Sequence, residues 1–109
     1  MSLFPPPQEI ETTVAFELPG SLRRKDTHSE WGQNNQFGGR PDSFLEGPSF
    51  DRDGNLWVVN IPFGQILVVS PKGKWSVAAE YDGNPNGLKI HRDGQIYICL
   101  LYTSPSPRD

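Results

Sequence analysis

Residues 46–59 read Glu46-Gly47-Pro48-Ser49-Phe50-Asp51-Arg52-Asp53-Gly54-Asn55-Leu56-Trp57-Val58-Val59. They return without gaps, 40 residues later, as Asn86-Gly87-Leu88-Lys89-Ile90-His91-Arg92-Asp93-Gly94-Gln95-Ile96-Tyr97-Ile98-Cys99. Gly47/Gly87, Arg52/Arg92, Asp53/Asp93 and Gly54/Gly94 are identical, and Phe50/Ile90, Leu56/Ile96, Trp57/Tyr97 and Val58/Ile98 are conservative matches. The matches gather on the Arg-Asp-Gly tripeptide and the apolar residues beside it. That is the signature of a repeated hairpin, in which a strand ends at an Asp-Gly turn and a second apolar strand follows. The glycine supplies the positive φ that such a turn requires.

Two more strand-like runs lie between the repeats. Gln65–Val69 is closed by Pro71-Lys72-Gly73, and Trp75–Glu80 is closed by Asp82-Gly83. Four short strands joined by hairpins, with a repeat of 40 residues, predict a propeller blade followed by the first two strands of another. The expected fold class is therefore all-β, a fragment of about one and a half blades, with no helix between Phe44 and Leu101. One blade buries only part of its own surface, so the pattern implies a longer parent.

Outward from this core the chain divides into three. Residues 1–43 form an irregular N-terminal segment in which only Thr13-Val14-Ala15-Phe16-Glu17-Leu18 alternates like a strand, closed by Pro19-Gly20. The stretch 21–42 shows little periodicity. Residues 44–99 are the partial propeller domain. Residues 100–109, Leu-Leu-Tyr-Thr-Ser-Pro-Ser-Pro-Arg-Asp, break the pattern with prolines and hydroxyl residues and are expected to be a tail foreign to the domain, an artefact of a truncated transcript.

Composition narrows the function classes. The 109 residues carry 10 basic and 13 acidic side chains, well mixed, for a net charge of −3. The one basic cluster, Arg23-Arg24-Lys25, is followed at once by Asp26 and reads as a solvated turn, so neither nucleic acid nor a membrane surface is an expected partner. Cys99 is the single cysteine, which excludes an internal disulfide. No signal peptide or membrane-spanning run is seen, and a soluble cytoplasmic protein is the expectation.

Few side chains carry chemistry. Asp51-Arg52-Asp53-Gly54-Asn55 has the start of a calcium-binding loop but lacks its closing glutamate, Pro62 standing there, and its recurrence marks it as a hairpin turn. His28 and His91 lack partners for a triad and read as surface residues. Cys99 occupies an apolar strand position and is expected to be a buried small hydrophobe, while Trp57, Trp75 and Tyr97 are expected to fill spaces between strands and blades. Asn86 precedes a glycine, and the turn reading is preferred for it over channel lining.

The run Phe44-Leu45-Glu46-Gly47-Pro48-Ser49-Phe50-Asp51, with Gly54–Pro62, Gly64-Gln65-Ile66, Val69–Gly73 and Asn84-Pro85-Asn86-Gly87-Leu88, resembles the first blade of the senescence marker protein/gluconolactonase/luciferin-regenerating enzyme (regucalcin-like) family. The resemblance covers residues 44–99. It implies a six-bladed propeller with a divalent metal, calcium, in its central channel, and hydrolysis of lactones or related esters. It further implies that Glu46, in a Glu-Gly-Pro motif, is a metal ligand, against its reading as an exposed loop carboxylate. Asn86, at the equivalent position, would be a lesser channel-lining or substrate-binding residue. Catalytic residues are not assigned. The expected function is thus the N-terminal part of a calcium-dependent lactone hydrolase, inactive at this length; the alternative is a non-catalytic propeller that binds protein partners.

Overall fold

The structure, a computed structural model, describes residues 3–101. Its elements are a 3₁₀ turn at Gly20–Leu22, helix α1 (Glu30–Asn35), strands β1 (Leu45–Phe50) and β2 (Leu56–Asn60), a 3₁₀ turn at Ile61–Phe63, and strands β3 (Gln65–Val69), β4 (Trp75–Glu80), β5 (Asn84–Ile90) and β6 (Ile96–Leu101). Strands β1-β2-β3-β4 form one four-stranded sheet and β5-β6 a second, two-stranded one. Every pairing is antiparallel. The regular structure is mostly β, as the repeat implies.

The same turn closes three hairpins. In each, the first residue accepts from the glycine three positions on: Asp51 from Gly54 at 3.2 Å, Ser70 from Gly73 at 2.8 Å and His91 from Gly94 at 2.8 Å. The glycines have φ of 83°, 85° and 92°. A type I turn followed by a left-handed residue makes this three-residue loop, and glycine enters that region without steric cost. Arg-Asp-Gly and Pro-Lys-Gly therefore solve the same backbone problem.

Side chains alternate across the four-stranded sheet, and each face has its own cover. Trp57, Val59 and Ile66 point toward the second sheet and pack with Leu88, Ile90, Ile96 and Ile98; Trp31 of α1 and Ile61 complete that cluster. Val58 and Leu67, with Leu56 and Trp75, face the other way and are covered by Leu18 and Leu22 of the N-terminal segment. Leu67 and Val59 are fully buried. Burial on this scale contributes about 1.5–3 kcal/mol per side chain.

Residues 13–18 form no strand, contrary to the alternation. Leu18 lies against the sheet's face through its side chain, rather than along an edge where it would extend the ladder. The sequence also hides α1, a helix of six residues. Its start is set by Ser29, whose hydroxyl accepts from the Gly32 amide at 3.0 Å. The helix presents Trp31 to the core, where its ring meets that of Phe44 at 4.7 Å.

The Arg23-Arg24 pair is not a solvated turn. Arg23 donates from Nε to the Leu18 carbonyl at 2.9 Å and pairs with Asp42 at 3.3 Å. Arg24 pairs with Glu80 at 2.6 Å and stacks its guanidinium 4.9 Å from the Phe63 ring centre. These contacts bind the segment to the sheet. Strand β6 runs through Leu100 and Leu101, which pair with Pro85 and Asn84, so two residues assigned to the tail belong to the sheet. Residues 102–109, the rest of that tail, lie outside the described residues.

Candidate functional site

Strand β1 is an edge of the four-stranded sheet. Glu46 is its second residue, paired with Val59 where the register shifts between Glu46 and Ser49. The shift is caused by Gly47, at φ 59°, which lets β1 approach β5 closely. A Cβ on Gly47 would stand 2.7 Å from the Leu88 amide nitrogen and 3.1 Å from Gly87 Cα. Gly47 is thus directed at Gly87 and Leu88 of the second sheet, whereas Gly87 is directed at Cys99 of its own sheet. This is a steric reason for glycine at position 47 that the sequence alone does not reveal.

Beside this crossing lies a cleft of about 610 Å³, bounded by Glu46 and Pro48 on one side and by Leu88, Lys89, Tyr97 and Cys99 on the other. The Glu46 side chain is exposed, and its carboxylate accepts at 3.4 Å from the amide of Gly47. Asn86 is also exposed but does not line the cleft. It sits inside β5, at the shift between Pro85 and Gly87, and so is not the turn residue expected of Asn-Gly. The second repeat thus spends its irregularity one residue earlier than the first, and Glu46 and Asn86 are equivalent in sequence but not in register.

Tyr97 and Cys99 were expected to be covered, and the structure overturns both readings. Tyr97 is 60% exposed and Cys99 is an exposed free thiol. Their counterparts Trp57 and Val59 are covered because the second sheet lies over them; no third layer lies over Tyr97 and Cys99 among the described residues. His28 and His91 are exposed, in accord with the sequence.

Asp51 does more than open a turn. Its Oδ1 accepts from the amides of Asp53 and Asn55, and its Oδ2 from Asn55 Nδ2 and Trp57 Nε1, all at 2.9 Å. The indole hydrogen bond, followed by the Asn55 amide, holds this carboxyl down at about 2. Such saturation marks a structural brace. A second polar chain crosses the sheet: Asn60 Oδ1 accepts from the Phe44 amide at 2.9 Å, Asn60 Nδ2 donates to Gln65 Oε1 at 3.0 Å, and Gln65 Nε2 donates to Glu80 at 3.3 Å. Hydrogen bonds from Arg24 and then Gln65 lower the Glu80 carboxyl below the ordinary carboxylate value.

A calcium ion calls for six to eight oxygen ligands at roughly 2.3–2.6 Å. Among the described residues no group of three or more His, Cys, Asp or Glu side chains is arranged to hold a metal. Glu46 offers one carboxylate, which by itself does not fit the ion. Nor is any helix among the described residues long and apolar enough to cross a membrane.

With this geometry stands a sequence relationship. Over 59 residues the chain is 39% identical to Lactonase drp35 of Staphylococcus aureus (strain MRSA252), and 37% identical to that of strain bovine RF122 / ET3-1. Lactonase drp35 of Staphylococcus epidermidis is 37% identical over 60 residues. Half of the chain is similar to a lactonase. The matched stretch is 52% of this chain but 18% of each relative, so the chain spans a small part of their length. No family model matches the chain. No solved structure matches it.

Proposed function

We propose that these residues are one part of a gluconolactonase-like β-propeller whose complete form hydrolyses lactones. The observation that carries the reading is the local identity of 37–39% to Lactonase drp35. Two structural features agree with it. A four-stranded antiparallel sheet is followed by a second sheet that begins with the repeated unit, and the second packs on the face of the first as successive blades do. The close crossing at Gly47 and Gly87 lies beside Glu46, so a carboxylate stands where two innermost strands would meet.

In this reading Glu46 supplies one oxygen to a calcium ion, and the remaining ligands and the base that activates water come from other blades. Bound calcium would polarise the lactone carbonyl. Glu46 itself would bind and orient, and Pro48 and Tyr97 would present an apolar flank to a small ring. The protein partner reading has no comparable support.

The test is made on the complete polypeptide that carries these residues. Glu46→Gln removes a charge without changing shape, and is expected to lower both calcium affinity by titration calorimetry and lactone turnover by about tenfold or more. Unchanged affinity and unchanged turnover together would sink the assignment of Glu46. Absence of lactone hydrolysis in the unsubstituted protein with calcium present would sink the enzymatic reading.

A further inference from the structure

Asn60 ends β2 and is fully buried, and Gln65 opens β3 beside it, 4% exposed. Their amides belong to a chain of hydrogen bonds in which every donor points the same way. Phe44 N–H donates to Asn60, Asn60 Nδ2 to Gln65, and Gln65 Nε2 to the Glu80 carboxylate. An ionised carboxylate only accepts, so it fixes the orientation of both amides and leaves the Asn60 oxygen facing Phe44. The net stabilisation from such bonds is small, and an apolar pair of the same shape would serve the core about as well. What the amides add is direction, because they are satisfied by one placement of the Phe44 backbone.

The carbonyl of Phe44 is held as well. It accepts from the Ile61 amide at 3.1 Å, and the Ile61 carbonyl in turn accepts from Asn84 Nδ2 at 2.9 Å. At the repeat spacing of 40 residues, Asn84 is the counterpart of Phe44. Ile61 therefore ties together the entrances of β1 and β5, two residues ahead of Glu46 and of Asn86. It lies in the 3₁₀ turn Ile61–Phe63, whose three residues are all buried. Glu46, by contrast, has an exposed side chain whose carboxylate accepts from its neighbouring amide at a long 3.4 Å. Its placement depends on the strand behind it. Neither Asn60 nor Asn84 lines the cleft beside Glu46.

We propose that Asn60 and Asn84 are positioning residues for Glu46, and that through Phe44 and Ile61 they set the place of its carboxylate against the second sheet. The inference rests on the reading of Glu46 as a functional carboxylate, and extends it to two side chains that lie away from the cleft.

The experiment is a pair of double-substitution cycles in the complete polypeptide, with lactone turnover and urea unfolding measured on each protein. Asn84→Leu and Asn60→Leu keep the approximate size and remove the hydrogen bonds, and each is made alone and together with Glu46→Gln. Alone, each is expected to lower kcat/KM by about tenfold, as misplacement of a reacting or orienting group does. Each should also speed amide hydrogen exchange at Phe44 and Ile61. Added to Glu46→Gln, neither should lower kcat/KM further, whereas its loss of urea resistance should be the same in both backgrounds. Asp51→Asn, at the opposite end of β1, is the control: it is expected to lower stability and leave kcat/KM of the folded protein unchanged. An asparagine effect that multiplies with that of Glu46→Gln overturns the proposal, and so does unaltered exchange at Phe44. If Glu46→Gln has no effect on turnover, the reading of Glu46 fails and carries this inference with it. If Glu46→Gln is effective and the folded asparagine variants turn over normally, the inference alone fails. Should one asparagine variant not fold, the other decides by the same outcomes.

Discussion

The four-stranded and the two-stranded sheet begin with the same fourteen-residue unit, but their equivalent residues live in different surroundings. Val59 is wholly buried and Trp57 half-buried, whereas Cys99 and Tyr97 are exposed. Leu56 and Val58 lie under Leu18 and Leu22, and Ile96 and Ile98 lie under the first sheet. Among the described residues the first sheet is covered on both faces and the second on one. A side chain's identity makes a strand; the neighbouring layer decides whether that strand has a core.

The comparison would break first at Leu67, in the middle of the doubly covered sheet. Leu67→Ala is expected to cost about 2–5 kcal/mol in urea unfolding, because transfer energy and a cavity both count. An effect near zero would mean that Leu18 and Leu22 leave that face wet. Next comes Gly47→Ala, which puts a methyl against the β5 backbone in a left-handed conformation and is expected to cost about 1–3 kcal/mol. Gly87→Ala should cost less, since its added Cβ would meet Cys99 Cβ at an ordinary 3.5 Å. Equal losses would refute the asymmetry of that crossing.

The two turns offer a sharper contrast on acidification. Asp51 is held at about 2 against an ordinary 3.8, so its contribution is present above about 3.8 and is lost as pH falls through about 2. Glu80, also lowered, acts in the same direction, its share disappearing as acid protonates it. His91 takes the place of Asp51 in the second turn and accepts from the Asp93 amide at 3.2 Å. Amide spectra followed from neutral to acid pH should show the Trp57 indole signal moving with the Asp51 titration. Asp51→Asn should remove that movement and flatten the acid limb of the stability profile. An indole signal indifferent to pH would exclude the brace. The smallest effect belongs to Tyr97→Ser on the uncovered face, expected to lie within about 0.5 kcal/mol in the monomer. A larger loss would mean that this face is already covered.

The hairpins were legible because their causes are local. Asp53-Gly54, Lys72-Gly73 and Asp93-Gly94 each place a left-handed glycine at the end of a hairpin loop, and the apolar runs beside them alternate with the period of a strand; Gly83 of Asp82-Gly83, between β4 and β5, is not left-handed. The repeat announced the glycines but not their purpose, since nothing in a sequence says that Gly47 will meet Gly87. Residues 13–18 alternate like a strand yet form none, because alternation cannot tell a ladder edge from a sheet face. Ser29 before Glu30 and Trp31 was a fair helix signal, but the helix is too short to impose periodicity. Glu46 could be singled out by its motif, and the structure adds the cleft beside it.

What the sequence by itself determined is therefore the alphabet of turns, the order and pairing of neighbouring strands, and the presence of two copies of one unit. All depend on residues close in the chain, where backbone sterics and side-chain period act directly. Only the tertiary structure decided which face of each unit is buried, why Arg23 and Arg24 are fastened rather than free, and why Cys99 is open while Val59 is sealed. Those outcomes depend on a second layer brought from far along the chain, and the same residue is core or surface according to whether that layer arrives.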